Sequence, residues 1–399
     1  MGASSMTEPI YLDYAATTPV DERVVAAMQP FWAGDWGNPS TVYGLGRRAR
    51  RALDDARDRV AQLLNCRANE VIFTGCGSES DNLAIKGAAM AAAERRGARH
   101  VVTTAIEHHA VLHACEWLER YLGFEVTYLD VRDDGRVEPA TVQAAVRPDT
   151  ALVSVMYANN EIGTLQPIPE IARAVKAANP NTLLHTDAVQ AGGLLAMDAQ
   201  QLGVDLLALS GHKFYAPKGV GLLFVRRGTP LAHLLSGGGQ ERGVRAGTEN
   251  VAGIVGMATA LELAYAELPA RVAHVRRLRD RLIAELPALV PGARLTGHPT
   301  QRMPNSASFV IPDADGESLL LNLDQERIYA SSGSACTSGS LEISHVLRAI
   351  RLPEAEARGS LRLTTGVMTA DAEIDRLLAV LPDVVARVRE VTPGLVASR

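Results

Sequence analysis

The sequence predicts an α/β fold in which a mostly parallel sheet is covered by helices on both faces. Short apolar runs typical of buried strands alternate with amphipathic stretches typical of helices over the first half of the chain. This alternation favours parallel strands joined by helical crossovers. The predicted strands cover residues 70–74, 100–104, 151–156, 183–187, 206–210 and 221–225, and helical patterns lie at 47–64 and 169–178.

The pattern changes after about Gly253 and predicts a second, smaller α+β domain. A long helical stretch, residues 251–286, is charged toward its second half. We expect Pro269 to kink or break it, because proline cannot continue the helical hydrogen bonds. Separate strands are expected near 306–311 and 361–365, with helical patterns between and after them.

Composition limits the classes of partner. The chain has 399 residues, 47% hydrophobic and 21% charged, which suits a large core and two or three domains. A formal net charge of -5 offers no basic face for nucleic acid, and no apolar run reaches the length of a membrane span, so we expect neither partner. The four cysteines lack metal-type spacing, which predicts reduced thiols, a cytoplasmic protein and no metal site.

Reactive side chains follow the ends of several predicted strands, where α/β proteins bind ligands. A glycine turn at residues 75–82 opens a helix whose free N–H groups suit a phosphate. A helix N-cap explains Ser78 equally well and is favoured for this segment taken alone. Asp187 ends another apolar strand, and it could bond a backbone group or hold a cationic nitrogen of a ligand.

Lys213 stands directly after the predicted strand at 206–210. Desolvation at the tip of a buried strand would lower the pKa of a lysine toward that of a nucleophilic amine, which makes Lys213 a Schiff-base candidate. An ion-paired surface lysine is the ordinary alternative. Together with a phosphate cradle and Asp187, however, Lys213 indicates a pyridoxal phosphate site.

Cys336 lies in a run of serine, glycine and threonine at residues 331–340. A cysteine used for packing needs apolar neighbours, whereas these residues supply flexibility and no bulk to bury. The segment indicates either a reactive thiol on a mobile loop or a solvated loop that happens to contain a cysteine. Cys66 and Cys115 lie in or near predicted helices and suit structural roles, and Cys76 is assigned no chemistry.

Several motifs together resemble the cysteine desulfurases of the NifS/IscS type, in the class V aminotransferase family. The resemblance covers almost the whole chain, through residues 11–19, 37–40, 74–82, 107–108, 158–161, 185–190, 210–213, 239–250 and 331–345 and on to Arg362. It implies the fold of pyridoxal phosphate-dependent transferases, which is aspartate aminotransferase-like. A large cofactor domain would span 19–262. A small domain, from 1–18 and 263–399, would carry the catalytic cysteine loop at about 331–345.

The resemblance also implies roles for individual residues. Lys213 would hold pyridoxal phosphate and act as the base, Asp187 would pair the pyridine nitrogen, and His108 would stack on the ring and relay protons. The remaining implied contacts are Gln190 and Asn160 to the ring oxygen or substrate, Gly77, Ser78, Ser210 and His212 to the phosphate, Thr248 to the phosphate of a neighbouring subunit in a homodimer, and Asn38 and Arg362 to the substrate carboxylate.

Cys336 would take sulfur from L-cysteine as a persulfide, leaving L-alanine, and pass it to an acceptor such as an iron–sulfur cluster scaffold. Cys336 could also contact an iron–sulfur cluster transiently. Selenocysteine as substrate, an aminotransferase and another lyase remain open within the same fold, although transamination needs no second nucleophile. A non-catalytic scaffold that binds assembly partners is a further alternative, and the presence of Lys213, Asp187 and Cys336 disfavours it.

Overall fold

The computed structural model describes residues 8–332 and 343–396. A seven-stranded sheet forms its centre, in the order β2-β8-β7-β6-β5-β3-β4, with every pairing parallel except those of β8 with β2 and β7. The strands of the described residues are β1 Ile10–Tyr11, β2 Val71–Thr74, β3 His100–Thr104, β4 Glu125–Leu129, β5 Thr150–Ser154, β6 Leu183–Asp187, β7 Leu206–Ser210, β8 Gly221–Val225, β9 Arg294–Leu295, β10 Ser306–Val310, β11 Ile328–Tyr329 and β12 Ser360–Thr364.

Helices connect the strands and cover the sheet. The described helices are α1 Glu22–Met28, α2 Pro30–Ala33, α3 Gly44–Leu63, α4 Gly77–Arg96, α5 His109–Leu122, α6 Pro139–Ala145, α7 Ile168–Ala178, α8 Ala199–Leu202, α9 Val251–Ala266, α10 Leu268–Leu289, α11 Gly316–Gln325, α12 His345–Ala349, α13 Glu354–Ala357 and α14 Asp371–Val396. A short 3₁₀ turn, Gly211–Lys213, follows β7 directly.

The two faces of the large sheet carry separate apolar cores. On β3, Val101 belongs to the core that includes Leu83 and Val111 of α4 and α5, whereas Val102 belongs to the core that includes Leu53 of α3. Successive strand residues point to opposite faces, so the two cores lie on opposite sides of the sheet. The fold predicted from the sequence, a mostly parallel sheet between helical layers, is confirmed.

A smaller antiparallel sheet, in the order β12-β10-β9, packs against α10, α11 and α14 around a third apolar core. The predicted long helix is divided at Glu267 into α9 and α10, which meet at a bend of 76°. Pro269 lies in the first turn of α10, where its missing N–H breaks no helical hydrogen bond. The domain limits stay a prediction, and α9 runs through the predicted limit at residue 262.

One strand of the sheet is absent from the sequence prediction. β4 lies at the edge of the sheet, and its residues are mostly exposed or half-buried, so it lacks the continuous apolar run of the inner strands. Among the described residues, no single helix is long and apolar enough to cross a membrane, while α9 and α10 meet that criterion only as a bent pair.

Candidate active site

A cavity of about 310 Å³ opens at the carboxyl ends of β2, β3, β5, β6 and β7. This is the edge at which the sequence analysis expected the ligand. The predicted site residues that line the cavity are Gly77, Ser78, His108, Asn160, Asp187, Gln190, Ser210, His212, Lys213 and Arg362. Asn38 and Thr248 are exposed and instead line a separate groove with Trp32 and Trp36. Cys336 lies outside the described residues.

The phosphate cradle is built from the first turn of α4 and the end of β7. A Cβ atom placed on Gly77 would lie 2.9 Å from Cγ2 of Val189 and 3.2 Å from Cβ of Ser210, so only glycine lets the helix approach this closely. Free N–H groups at the start of α4 therefore face Ser210 and His212 across the cavity, as a phosphate group requires.

Cys76, and not Ser78, caps α4. The Sγ atom of Cys76 accepts a hydrogen bond from the N–H of Glu79 at 3.4 Å, and the helix begins at Gly77. The N-cap interpretation of Ser78, favoured for the isolated segment, is therefore wrong, because the chain turns into the helix two residues earlier. The Ser78 side chain remains at the cavity wall, where it can bind a phosphate oxygen.

Lys213 occupies the 3₁₀ turn after β7 and extends into the cavity. Its Nζ atom donates to the backbone oxygens of Ala15 at 2.6 Å and Ala16 at 2.8 Å. Gln190 also donates to Ala15, at 3.0 Å. Lys213 is therefore half-buried at the cavity and not an exposed surface lysine, and the segment that follows β1 forms one wall of the cavity.

Asp187 ends β6 with its side chain at the cavity. Burial raises the pKa of this carboxyl to about 6, while a hydrogen bond from the N–H of Val189 and the charge of Lys213 act in the opposite direction. Both sequence interpretations are thus compatible with the geometry, since one oxygen accepts from the backbone and the carboxyl also lines the ligand cavity. A protonated ring nitrogen of a ligand would give the Asp187 carboxylate a positively charged partner.

His108 is both the N-cap of α5 and a wall of the cavity. Its Nδ1 atom accepts a hydrogen bond from the N–H of Ala110 at 3.1 Å. Burial, followed by the charge of Lys213, lowers the pKa of His108 to about 4, so the ring is neutral near pH 7. Since Nδ1 is an acceptor, the single ring proton lies on Nε2.

Arg362 is buried with a guanidinium that is only partly satisfied. Its Nη1 donates to the backbone oxygen of Asn160 at 2.9 Å, and its Nη2 pairs with Asp13 at 2.8 Å. The Nε–H has no hydrogen-bond partner among the described residues. Arg362 also lines the cavity, and a guanidinium is suited to binding a ligand carboxylate.

Six residues of the cavity wall were not assigned from the sequence: Ala15, Ala16, Cys76, Asp81, Met156 and Val189. Asp81 stands inside the glycine-turn motif at 75–82, which was the one available signal for it. The side chain of α4 that faces the cavity depends on how the helix packs against the sheet, and the spacing of residues in the sequence does not determine that packing. No group of three or more His, Cys, Asp and Glu in the described part of the chain could hold a metal ion.

Comparisons with known proteins agree with this geometry. Residues 10–377 match the family model of class-V aminotransferases. A cysteine desulfurase IscS from Methanosarcina thermophila is 49% identical over 390 residues, which cover 98% of this chain and 95% of that protein. The solved structure of a NifS-like protein superposes with a TM-score of 0.89 at 37% identity, covering 95% of this chain and all of the other. The structure described as SspA in complex with cysteine gives 0.79 at 35% identity, over 90% of this chain and all of that one.

The chain therefore belongs to the class-V aminotransferase family, whose cofactor is pyridoxal phosphate. Within that family it is of the NifS/IscS cysteine desulfurase type. The cavity fits the cofactor, since Gly77 leaves room for a phosphate that a side chain would fill, and Lys213 and Asp187 both line the same space.

Proposed function

We propose that this chain removes sulfur from L-cysteine, giving L-alanine and a persulfide on Cys336. One observation carries the proposal: Lys213, Asp187 and Arg362 share one cavity, and the flanks of the Cys336 segment attach to a residue of its wall on one side and next to its wall on the other. On one flank, Ser331 and Arg362 form a backbone bridge. On the other, Ser344 donates to the carboxylate of Glu161.

His345, directly after Ser344, strengthens the second attachment. Its Nε2 donates to the backbone oxygen of Glu107 at 2.9 Å, next to His108. The apolar residues Val346 and Leu347 of α12 pack into the core of the large sheet. The chain therefore leaves the cavity wall before residue 333 and returns to it after residue 342, which is the arrangement that delivery of a thiol to the cavity requires.

The bound cofactor supplies an electron sink for the substrate carbons. Lys213 would hold it covalently and would accept and return the α-proton of the substrate. Asp187 holds the pyridine nitrogen, Gly77, Ser78, Ser210 and His212 hold the phosphate, and Gln190 and Asn160 orient the ring oxygen and substrate. Neutral His108 stacks on the ring and offers its Nε2 proton.

Arg362 binds the substrate carboxylate, whereas Asn38 lies outside the cavity and takes no part in this contact. The guanidinium is fixed by Asp13 and Asn160, so little side-chain freedom is lost when substrate binds. The thiolate of Cys336 then attacks the substrate sulfur. An S–S bond forms, the C–S bond breaks, its electron pair stays on the substrate carbon, and protonation there gives alanine.

The proposal includes a homodimer and a sulfur acceptor. Thr248 and Asn38 lie in a groove of about 420 Å³ outside the cavity, beside the exposed side chains of Trp32 and Trp36. An exposed aromatic patch of this kind favours burial against a second copy, whose phosphate Thr248 would reach. The acceptor is a protein such as an iron–sulfur cluster scaffold, and the reduced thiols at Cys66, Cys76 and Cys115 suit a cytoplasmic setting.

Anaerobic turnover of L-cysteine with a thiol reductant tests the proposal. We expect equal amounts of alanine and sulfide from the wild type, and retained cofactor absorbance with loss of sulfide in Cys336→Ala. Cys66→Ala is the matched control, because that thiol is half-buried away from the cavity. Loss of the cofactor in Cys336→Ala would contradict the assignment. Absence of both products from a cofactor-loaded wild type would favour selenocysteine or another amino acid as substrate.

A further inference from the structure

Two buried polar side chains, Asp81 and His185, lie beside Asp187 and have no role in the chemistry proposed above. Asp81, in the second turn of α4, is 1% exposed and borders the cavity, and His185 on β6 is fully buried. Oδ1 of Asp81 and Nε2 of His185 lie 3.5 Å apart, and neither atom has a hydrogen-bond partner in the part of the chain that the structure describes. Buried polar atoms seldom lack partners, so we take Oδ1 of Asp81 and Nε2 of His185 to interact with each other.

Three carboxyl groups are crowded together here. Burial raises the pKa of Asp81 well above its usual value, and the charges of Asp187, Glu107 and Cys76 raise it further. The one nearby cation, among the groups that act on these carboxyls, is Lys213, which lowers the pKa of Asp187. Adjacent carboxylates in a low-dielectric interior cannot all ionise, so Asp187 can be an anion only if Asp81 is not.

We propose that Asp81 and His185 share one proton and are neutral as a pair, which leaves the negative charge on Asp187 for the pyridine nitrogen of the cofactor. Both residues act through Asp187 and are positioning residues. The inference rests on the proposed role of Asp187 and adds the means by which that residue stays ionised. Nδ1 of His185, 2.9 Å from Oγ of Ser154, fixes the orientation of the ring.

The position of the proton follows from burial. Burial lowers the pKa of His185 to about 3 and raises that of Asp81, so the proton resides on Asp81, which donates to Nε2 of the neutral ring. Transfer of the proton to His185 would leave the net charge of the pair unchanged. The pair and Asp187 together therefore carry a single net negative charge in either arrangement.

Paired substitutions separate this role from simple packing. Asp81→Asn keeps the shape and the neutrality, so its affinity for pyridoxal phosphate should stay within about threefold of the wild type. If the amide of His185→Gln turns its oxygen to the hydroxyl of Ser154 and its N–H to Asp81, it favours the ionised carboxylate and raises the pKa of Asp187. A shift of one unit corresponds to about tenfold weaker cofactor affinity. The double variant, with no carboxyl at 81, should recover to within about threefold.

The experiment titrates pyridoxal phosphate into the apo-protein of all four forms and records affinity and the pH profile of the cofactor absorbance. Recovery in the double variant supports the proposal. A double variant as weak as His185→Gln would mean that His185 only packs, and weak binding by Asp81→Asn alone would mean that Asp81 acts as an anion. Either result overturns the proposal.

Thermal unfolding of the apo-protein gives a second test that needs no loaded enzyme and no His185 variant. A raised pKa means that the folded protein keeps a proton on Asp81 that the unfolded chain releases, so stability falls as pH rises above the usual range of aspartate. Asp81→Asn should lose part of this pH dependence, whereas exposed Asp58→Asn should keep it all. An unchanged pH dependence in Asp81→Asn overturns the proposal.

Asp187→Asn distinguishes failure of the pair from failure of the proposed cofactor site. Unchanged cofactor affinity in this variant would contradict the role of Asp187 and, with it, the pair. Lost affinity in Asp187→Asn, combined with no recovery in the double variant, would contradict the pair alone and leave the site as proposed.

Discussion

Arg362 shows how a single residue joins several parts of the site. Its backbone bridges Ser331, its guanidinium is held by Asp13 and Asn160, and its side chain lines the cavity that would take a substrate carboxylate. A lysine at this position keeps a positive charge but cannot reach these partners in the same fixed geometry. The residue therefore serves both as a binding group and as a fixed point beside the Cys336 segment.

Replacing Arg362 with lysine should raise KM for L-cysteine by about 10- to 100-fold, because bidentate recognition of the carboxylate is lost. Cofactor absorbance should remain, since the phosphate and ring contacts are elsewhere in the cavity. Steady-state kinetics measures the effect. Arg358→Lys is the matched control, because Arg358 lies outside the cavity and forms an exposed ion pair with Glu354, four residues earlier. An unchanged KM in Arg362→Lys would assign the carboxylate to another group.

Most of the site was predicted from the types of residue that stand at the ends of the predicted strands. Asp187 and Lys213 could be found because charged side chains directly after apolar strands are unusual. Asp81 could not, because its function depends on facing His185 from another element at 3.5 Å. The cap of α4 was assigned to Ser78 because serine is a preferred N-cap residue, whereas the backbone places Cys76 there.

Elements were predictable where burial leaves a continuous apolar pattern. The inner strands β3, β5, β6 and β7 are buried along their whole length, and the sequence located each of them to within about two residues. β4 was not predicted because it lies at the edge of the sheet and is not buried on both faces, so its sequence lacks a continuous apolar run. Its Glu125 and Tyr128 are exposed, so the sequence resembles a surface segment.

Glu107 ties the carboxyl ends of two strands together. Its Oε1 accepts from the hydroxyl of Thr104 at the end of β3, at 2.6 Å, and from the N–H of Met156 after β5, at 2.9 Å. Burial raises the pKa of this carboxyl to about 8, so the folded protein holds a proton there at neutral pH. An unfolded chain releases that proton above about pH 4.5, so stability is lost as pH rises from there toward about 8.

Glu107→Gln should remove this part of the pH dependence, since the amide oxygen can accept the same two hydrogen bonds and has no proton to lose. Urea unfolding of the apo-protein between about pH 5 and 9 measures it, with a smaller loss of stability toward alkaline pH than in the wild type. Glu116→Gln, at an exposed position of α5, should follow the wild type. An unchanged pH dependence in Glu107→Gln would show that the carboxyl is already ionised in the folded protein.

The whole molecule brings its reactive groups together from both halves of the chain. The cofactor cavity is formed at the large sheet, but Arg362 comes from β12 of the small sheet, and Ala15 and Ala16 come from the segment after β1. The flanks of the Cys336 segment connect the same two units, because Ser331 pairs with β12 and α12 packs on the large core. Relative movement of the two sheets would therefore alter substrate binding and thiol position together.

Thr248 makes the proposed dimer testable at the level of the assembly, because it lies outside the cavity of its own chain. If it binds the phosphate of the neighbouring subunit, a homodimer of Thr248→Ala has two weakened sites. In a mixed dimer with Lys213→Ala, the cavity that keeps Lys213 receives an intact Thr248 from its partner. Mixed dimers, purified through two different tags, should show about half of the wild-type sulfide release at limiting cofactor, since one of two sites is complete. Mixed dimers no better than Thr248→Ala alone would place the action of Thr248 within its own chain, and a monomer in solution would remove the basis for the shared site.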